Sequence, residues 1–240
     1  MFTTFTLDYG SDSFAHLSSG IAFENHSETR QGAICVAFNP NGAIPIIRTT
    51  TSYTQPSQPF TPALHDLVSR IQTASNSPTL TVNNAMVEIY QPGYTKMGFH
   101  TDQALDLEAD SFICLFSCYE DPEEKHPRKL VVKEKLTNKE FEIPLTQNSC
   151  VRWSTLTNAQ HLHKIISGPK DKTQSRWLGI TLRLSKTFVN IRAGEWHFQD
   201  GRHLRVATDE ERKEFMQYKS LENKNIEYAY PEISYTLSRH

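Results

Sequence analysis

Two side chains that commonly bind metals stand two residues apart near the middle of the chain, at His100 and Asp102. They end a segment of alternating character that begins at Asn83 and turns at Pro92-Gly93. Residues two apart in a strand point to the same face, so we expect the imidazole and the carboxylate to face one metal ion. A second histidine would complete a 2-His-1-carboxylate set, which leaves open positions on iron(II) for a cosubstrate and dioxygen.

The third ligand is expected on a later strand. His161 and His163 both lie in the apolar segment HLHKII, and they share one face, so alternation does not separate them. His163 is preferred because it is nearer to Ile165-Ile166, whereas His161 borders a polar loop. The other downstream histidines before the last residue lie in charged or polar segments: His126, His197 and His203.

An iron site of this kind needs an electron donor that chelates the metal, and 2-oxoglutarate would do so through its keto-acid end. Its distal carboxylate then needs a buried cation, and the planar fork of arginine matches a carboxylate bidentately. Arg183 lies in the middle of an apolar strand-like segment and is the predicted partner, with Ser185 on the same face. Tyr90 is predicted to point inward and to donate a hydrogen bond to the same carboxylate.

Short strands must position these residues. Roughly eight or nine strand-like segments follow residue 80, against one helix before it, which favours a closed or double-sheet β-structure of jelly-roll type. A helix is predicted from Ala63 to Ile71, with Pro62 in its first turn, and another over 209–224 with Thr208 as N-cap. The predicted strands include 34–38, 44–49, 111–119, 129–135, 139–145, 149–153, 161–166, 177–189 and 228–238, with a polar loop after Trp153.

The chain is expected to form one domain. Residues 1–80 would be an N-terminal sheet and helix that support the core, 81–189 the β-helix core, and 190–240 a C-terminal extension packed on that core. We expect a monomer.

Composition limits the class of protein. The chain has 240 residues, a formal net charge of -2 and a pI near 6.6, which argues against a broad nucleic-acid-binding surface. Four cysteines without CxxC spacing indicate reduced thiols. With no apolar stretch that suggests a signal peptide or a membrane span, a cytoplasmic or nuclear protein is expected.

The segments NNAMVEIYQPG, MGFHTDQ, HLHKI and RLSKTFV occur in this order between residues 83 and 189. Together they resemble the AlkB-like branch of the iron(II)/2-oxoglutarate-dependent dioxygenases. The resemblance implies a double-stranded β-helix in which iron is held by His100, Asp102 and His163. It further implies that Arg183 and Tyr90 hold the distal carboxylate of 2-oxoglutarate, with Ser185 standing where the family usually has asparagine.

The implied reaction consumes dioxygen, decarboxylates 2-oxoglutarate to succinate and carbon dioxide, and hydroxylates a C–H bond. If that carbon belongs to an N-methyl group, the product falls apart to formaldehyde. Ascorbate is a further candidate as an added reductant.

Two departures from the family pattern leave the substrate open. Val189 stands where the family has a second arginine, and Ala104 where it has an acidic residue; Arg176 and Arg192 are candidates to replace that arginine. The resemblance favours oxidative demethylation of an alkylated nucleic-acid base. The alternatives are a hydroxylase acting on a small molecule, an amino acid or a protein side chain, and a non-catalytic binding module.

A set of basic residues is predicted to form either a phosphate-binding surface or, more simply, a solvated face. Its members are Arg128, Lys129, Lys133, Lys135, Lys164, Lys170 and Lys172.

Overall fold

Antiparallel strands make up most of the structure, a computed structural model that describes residues 1–95, 97–168 and 175–238. Within these residues the strands are β1 Thr3–Thr6, β2 Glu24–Ser27, β3 Arg30–Val36, β4 Ile44–Pro45, β5 Gln58–Pro59, β6 Asn84–Tyr90, β7 Phe112–Tyr119, β8 Lys129–Glu134, β9 Glu140–Pro144, β10 Ser149–Ser154, β11 His161–Ile166, β12 Trp177–Arg183, β13 Phe188–Arg192, β14 Glu195–Phe198, β15 His203–Val206 and β16 Tyr235–Thr236. The helices are α1 Ser13–Ser18, α2 Pro62–Ala74, α3 Thr155–Gln160 and α4 Asp209–Lys224, and one 3-10 turn spans Ala104–Asp106.

The largest sheet has eight strands, ordered β1-β10-β7-β12-β6-β3-β2, with β5 paired to β3. Its outer face is apolar because alternate residues of the central strands, such as Val87 and Ile180, point toward α2. Helix α2 buries Leu64 and Leu67 against them, and it begins as predicted, with Pro62 in its first turn after the Thr61 cap.

The inner face of this sheet packs against a second sheet, ordered β11-β8-β9. Tyr90 and Trp177 from the large sheet and Leu130 and Val132 from the small one belong to one buried cluster. A Cβ atom at Gly179 would lie 2.0 Å from the Trp177 ring, so only glycine admits the indole there. Two facing sheets of antiparallel strands confirm the predicted mainly β, jelly-roll core.

A third sheet, ordered β16-β15-β14-β13-β4, is built mostly from the C-terminal part of the chain. Helix α4 lies between β15 and β16 in the chain and begins as predicted, because Thr208 and Glu211 form a reciprocal capping box. No helix among the described residues is both long enough and apolar enough to span a membrane. All four cysteines are buried free thiols.

Several sequence-based predictions of elements were wrong, among them the strand predicted over 44–49, which is reduced to β4. The strand predicted over 177–189 divides into β12 and β13, because the Ser185 hydroxyl accepts the Thr187 N–H and turns the chain between them. The polar loop after Trp153 forms α3, whose N-cap is the Ser154 hydroxyl. The strand predicted over 228–238 is reduced to β16.

Candidate metal centre

Three side chains of metal-ligating type meet at the edge of the small sheet. Ligand atoms of His100, Asp102 and His163 all lie within 4.8 Å of one another. The Nε2 atom of His163 lies 3.8 Å from Oδ1 of Asp102. No other group of three such residues was found in the described part of the chain, so the structure brings together the three residues that the sequence analysis had grouped.

Backbone hydrogen bonds hold the two histidines together. The N–H of His100 donates to the carbonyl of His163 at 3.0 Å, and the N–H of His163 donates to the carbonyl of His100 at 2.7 Å. His100 thus forms an isolated β-bridge with His163 of β11, and the centroids of the two rings lie 4.6 Å apart. The prediction of a strand running through Asp102 was therefore wrong, since regular pairing stops at Tyr90 and resumes only for this one residue pair.

The environment keeps both imidazoles neutral, as a metal ligand must be. Burial and, to a smaller extent, the neighbouring His100 ring lower the pKa of His163 to about 3, against an opposing effect of Asp102. Burial also lowers the pKa of His100. The Nδ1 atom of His100 lies 2.9 Å from the carbonyl of Gly98, which assigns the proton to Nδ1 and leaves Nε2 with a free lone pair.

His161, the alternative third ligand, does not belong to this group. Its Nδ1 atom lies 2.9 Å from the carbonyl of Thr157 within α3, and its ring packs edge-on against Phe2 at 5.5 Å. The structure therefore places His163, and not His161, beside Asp102.

The segment that carries Asp102 is irregular, so side chains satisfy its backbone. The Asn158 side-chain amide bonds Asp102 twice: its Oδ1 accepts the N–H at 3.1 Å and its Nδ2 donates to the carbonyl at 2.7 Å. Both residues are buried. This pairing fixes the backbone from which the carboxylate projects.

Helix α4 holds the same segment from the other side. Oδ1 of Asn223 accepts the backbone N–H of Thr101 at 2.9 Å and its hydroxyl at 3.2 Å. Oε1 of Glu222 accepts the N–H of Ala104 at 2.8 Å. The C-terminal helix thus bonds the chain on both flanks of Asp102.

Replacing Asn223 with alanine is expected to weaken manganese(II) binding by roughly 10-fold or more, because residues that orient a metal ligand typically contribute 10- to 100-fold to affinity. Isothermal titration calorimetry measures the change. Asn225 is a matched control. Among the described residues, its side chain bonds only the carbonyl of Leu221 in α4. Equal affinities in Asn223→Ala and Asn225→Ala would contradict the expected role.

Arg183 is buried beside the group with unmet hydrogen-bonding capacity. Its Nη1 atom lies 4.0 Å from Oδ2 of Asp102. Its Nε and Nη2 atoms have no hydrogen-bond partner among the described residues, and neither does Oδ2 of Asp102. Buried polar atoms are normally satisfied. A cation at the triad and an anion at the guanidinium would satisfy these atoms.

A cavity of about 300 Å³ connects these features. His100, Asp102 and Arg183 line it, and Lys219 of α4 contributes to its wall. Glu88, on the inner face of β6, also lines the cavity. It accepts a hydrogen bond from Nε of Arg30 at 2.7 Å, and the two side chains form a largely buried ion pair. Arg30 and Lys219 were not predicted as site residues, because nothing in the sequence around them separates them from other charged residues.

Tyr90 and Ser185, both predicted to contact 2-oxoglutarate, do not line the cavity. The Tyr90 hydroxyl donates to Oε2 of Glu88 at 2.8 Å. The Ser185 hydroxyl donates to the carbonyl of Ile46 at 2.5 Å and accepts the N–H of Thr187 at 3.1 Å. The structure gives both hydroxyls partners within the protein.

The two arginines considered as replacements for the family's second arginine lie elsewhere. Arg176 forms an ion pair with Glu120. Arg192 is exposed at the end of β13. Val189, which stands at the family position, is fully buried in an apolar cluster.

Most described members of the predicted basic surface form contacts with other residues of the protein. Arg128 is fully buried and donates to the carbonyls of Tyr94 and Gln91. Lys135 donates to two carbonyls at the end of α4. The remaining described members contact acidic or aromatic side chains: Lys129 with Glu142, Lys133 with Glu140, and Lys164 with Phe99. Lys170 and Lys172 lie outside the described residues.

Comparison with known proteins gives a family match over most of the chain. Residues 18–188 match the model of the 2OG-Fe(II) oxygenase superfamily. No curated protein sequence matches the chain. Among solved structures, OsALKBH1 is similar at 14% identity, with a TM-score of 0.46 over 72% of this chain and 88% of the other. A Pseudomonas putida prolyl-4-hydroxylase is similar at 10% identity, with a TM-score of 0.45 over 76% and 92%.

Proposed function

Because this chain belongs to the 2OG-Fe(II) oxygenase superfamily, we propose that His100, Asp102 and His163 hold its iron(II) and that Arg183 binds the distal carboxylate of 2-oxoglutarate. Enzymes of this family use iron(II), 2-oxoglutarate and dioxygen. When bound, these groups supply the oxidation of a substrate C–H bond to an alcohol, with conversion of 2-oxoglutarate to succinate and carbon dioxide.

The observation that carries the proposal is a set of three convergent ligands beside a buried arginine with free donors. Two neutral imidazoles and a carboxylate suit iron(II). Within the described part of the chain, Oδ2 of Asp102 is a buried acceptor without a donor, which a metal ion would engage. Nε and Nη2 of Arg183 are buried donors without an acceptor there, which a carboxylate would engage. The donor set therefore fits both groups.

Neighbouring residues of the chain position the three proposed metal ligands. Asn158 and the residues of α4 hold the segment of Asp102, while the reciprocal backbone bonds of His100 and His163 fix the distance between the two imidazoles. Catalytic groups held in this way need little rearrangement when the metal binds. Burial of Arg183 strengthens its interaction with a carboxylate, since water competes less for both charges.

For the substrate, the contacts of the basic residues favour a small molecule. Arg128 is inside the protein, and Lys129 and Lys133 are paired with glutamates, so they offer little charge to a phosphate backbone. We therefore propose hydroxylation of a small molecule that enters the cavity. Oxidative demethylation of an alkylated nucleic-acid base, which the sequence resemblance favours, is the second candidate.

Two assays test this proposal. Purified protein with iron(II) should convert 2-oxoglutarate to succinate, and Asp102→Ala should lose this activity; absence of succinate in the wild-type protein with any tested substrate mixture would contradict the enzyme assignment. Formaldehyde release from methylated oligonucleotides at low salt would favour demethylation over hydroxylation of a small molecule. Loss of activity in His100→Ala would also exclude the third hypothesis, a non-catalytic module.

A further inference from the structure

The wall of the cavity carries the ammonium group of Lys219, from the C-terminal helix, which forms no ion pair with the described residues. Lys219 lies half-buried in the cavity wall, and its ammonium group donates to Oγ1 of Thr50 at 2.9 Å. This is the only hydrogen bond or ion pair that the ammonium group forms with the described residues. Partial removal of an ammonium group from water without a carboxylate partner is unfavourable. A bound anion would offset this penalty.

The charges of the cavity wall do not balance. Three cations, Arg30, Arg183 and Lys219, face two carboxylates, Glu88 and Asp102. Bound iron(II) and bound 2-oxoglutarate carry equal and opposite charges, so both together leave the excess unchanged. Arg30 is already paired with Glu88, and Arg183 is assigned to the cosubstrate. The remaining positive charge therefore belongs to Lys219.

The nearest acidic residue on the same helix does not neutralise this lysine. Oε1 of Glu222 accepts the N–H of Ala104, and its Oε2 accepts the hydroxyl of Tyr230. Burial lowers the pKa of Lys219, and the neighbouring Arg30 guanidinium lowers it further, against a smaller opposing effect of Glu222. These two cations thus repel each other across the cavity.

A second donor in the same cavity also lacks a partner. Gln103 is buried, and its Nε2 atom has no hydrogen-bond acceptor in the part of the chain that the structure describes. It follows Asp102 directly in the chain and lines the cavity together with Lys219. The wall therefore offers two donors, the Lys219 ammonium group and the Gln103 side-chain amide, that an anion could engage.

We propose that Lys219 binds an anionic group of the substrate, a carboxylate or a phosphate, with Gln103 as an additional neutral donor. The substrate class would then be a small organic acid or a phosphate ester. This inference rests on the proposed function, because it assigns the lysine to the substrate of the same site.

The test uses the full-length protein loaded with manganese(II) and saturated with 2-oxoglutarate. Acetate and inorganic phosphate serve as probes, and the paramagnetic relaxation of acetate protons and of the phosphorus nucleus reports binding near the metal. We expect enhanced relaxation of at least one probe in the wild-type protein and its loss in Lys219→Gln. Lys219→Arg should keep part of the effect, and Lys213→Gln, at an exposed position of α4, should keep all of it.

Relaxation of acetate alone would support a carboxylate substrate, and relaxation of phosphate alone a phosphate ester. Equal relaxation in the wild-type protein and in Lys219→Gln would overturn the inference. So would a rise of about tenfold, or 1.4 kcal/mol, in the dissociation constant of 2-oxoglutarate in Lys219→Gln, because the lysine would then hold the cosubstrate. Succinate formation by the wild-type protein is measured separately, so failure of the proposed function is distinguished from failure of this inference.

Discussion

Replacing His163 with alanine is expected to lower the affinity for iron(II) and manganese(II) by more than about 100-fold, and to abolish succinate formation. The structure places its Nε2 atom beside the Asp102 carboxylate, with a pKa near 3 that leaves the lone pair available at neutral pH. Loss of a residue that merely orients a ligand costs 10- to 100-fold in metal affinity, so loss of the ligand itself should exceed that range. Calorimetry with manganese(II) measures the affinity without requiring turnover.

His161→Ala is the matched control, since this histidine lies two residues away on the same strand. Its ring packs on Phe2 and bonds the Thr157 carbonyl of α3, so its removal should lower the melting temperature slightly while metal affinity stays close to wild type. If instead His161→Ala lost the metal and His163→Ala kept it, the proposed ligand set would be wrong.

Replacing Arg183 with glutamine is expected to raise the KM for 2-oxoglutarate by about 30-fold or more. Truncating one partner of a buried, hydrogen-bonded charge pair costs about 2–5 kcal/mol, and 2 kcal/mol corresponds to about 30-fold. Arg183→Lys should recover only part of this loss, because an ammonium group keeps the charge and lacks the planar fork. Arg192→Gln, which changes an exposed arginine on β13, should leave the KM unchanged.

A measurement of stability separates a binding role of Arg183 from a structural one. Two nitrogens of its guanidinium have no hydrogen-bond partner in residues 1–95, 97–168 and 175–238, so the fold gains little from them. In the manganese-loaded protein without cosubstrate, the melting temperature of Arg183→Gln should therefore equal or exceed that of the wild type. A clear drop in melting temperature with an unchanged KM would mean that Arg183 supports the fold instead.

Sequence patterns predicted the parts of the fold that depend on local periodicity. Strands β7 and β11 and helices α2 and α4 lie where alternation, helical spacing and capping residues indicated. The three convergent residues were also predictable, because histidine and aspartate two positions apart are a recognisable pair and one apolar strand carries the remaining histidine. The same reasoning could favour His163 over His161 but could not establish it, since both share a face.

Elements that depend on side-chain bonds to the backbone were not predictable from periodicity. The irregular segment of Asp102 is held by Asn158 and Asn223, which are 56 and more than 100 residues away in sequence. Helix α3 exists because the Ser154 hydroxyl caps it, within a segment whose polar composition suggests a loop. Arg30 and Lys219 enter the cavity wall only through tertiary packing, so no local signal identifies them.

The match to the family model ends at residue 188, whereas α4 begins at Asp209 and still reaches the cavity with Lys219. The proposed iron ligands and Lys219 of the cavity wall therefore lie on separate parts of the sequence, the ligands inside the family match and the lysine beyond it. Such an arrangement would let substitutions in α4 change substrate selectivity without altering the residues proposed to hold the iron. An engineer who wished to redirect this enzyme would accordingly randomise α4 first, sparing Asn223 so that metal loading survives.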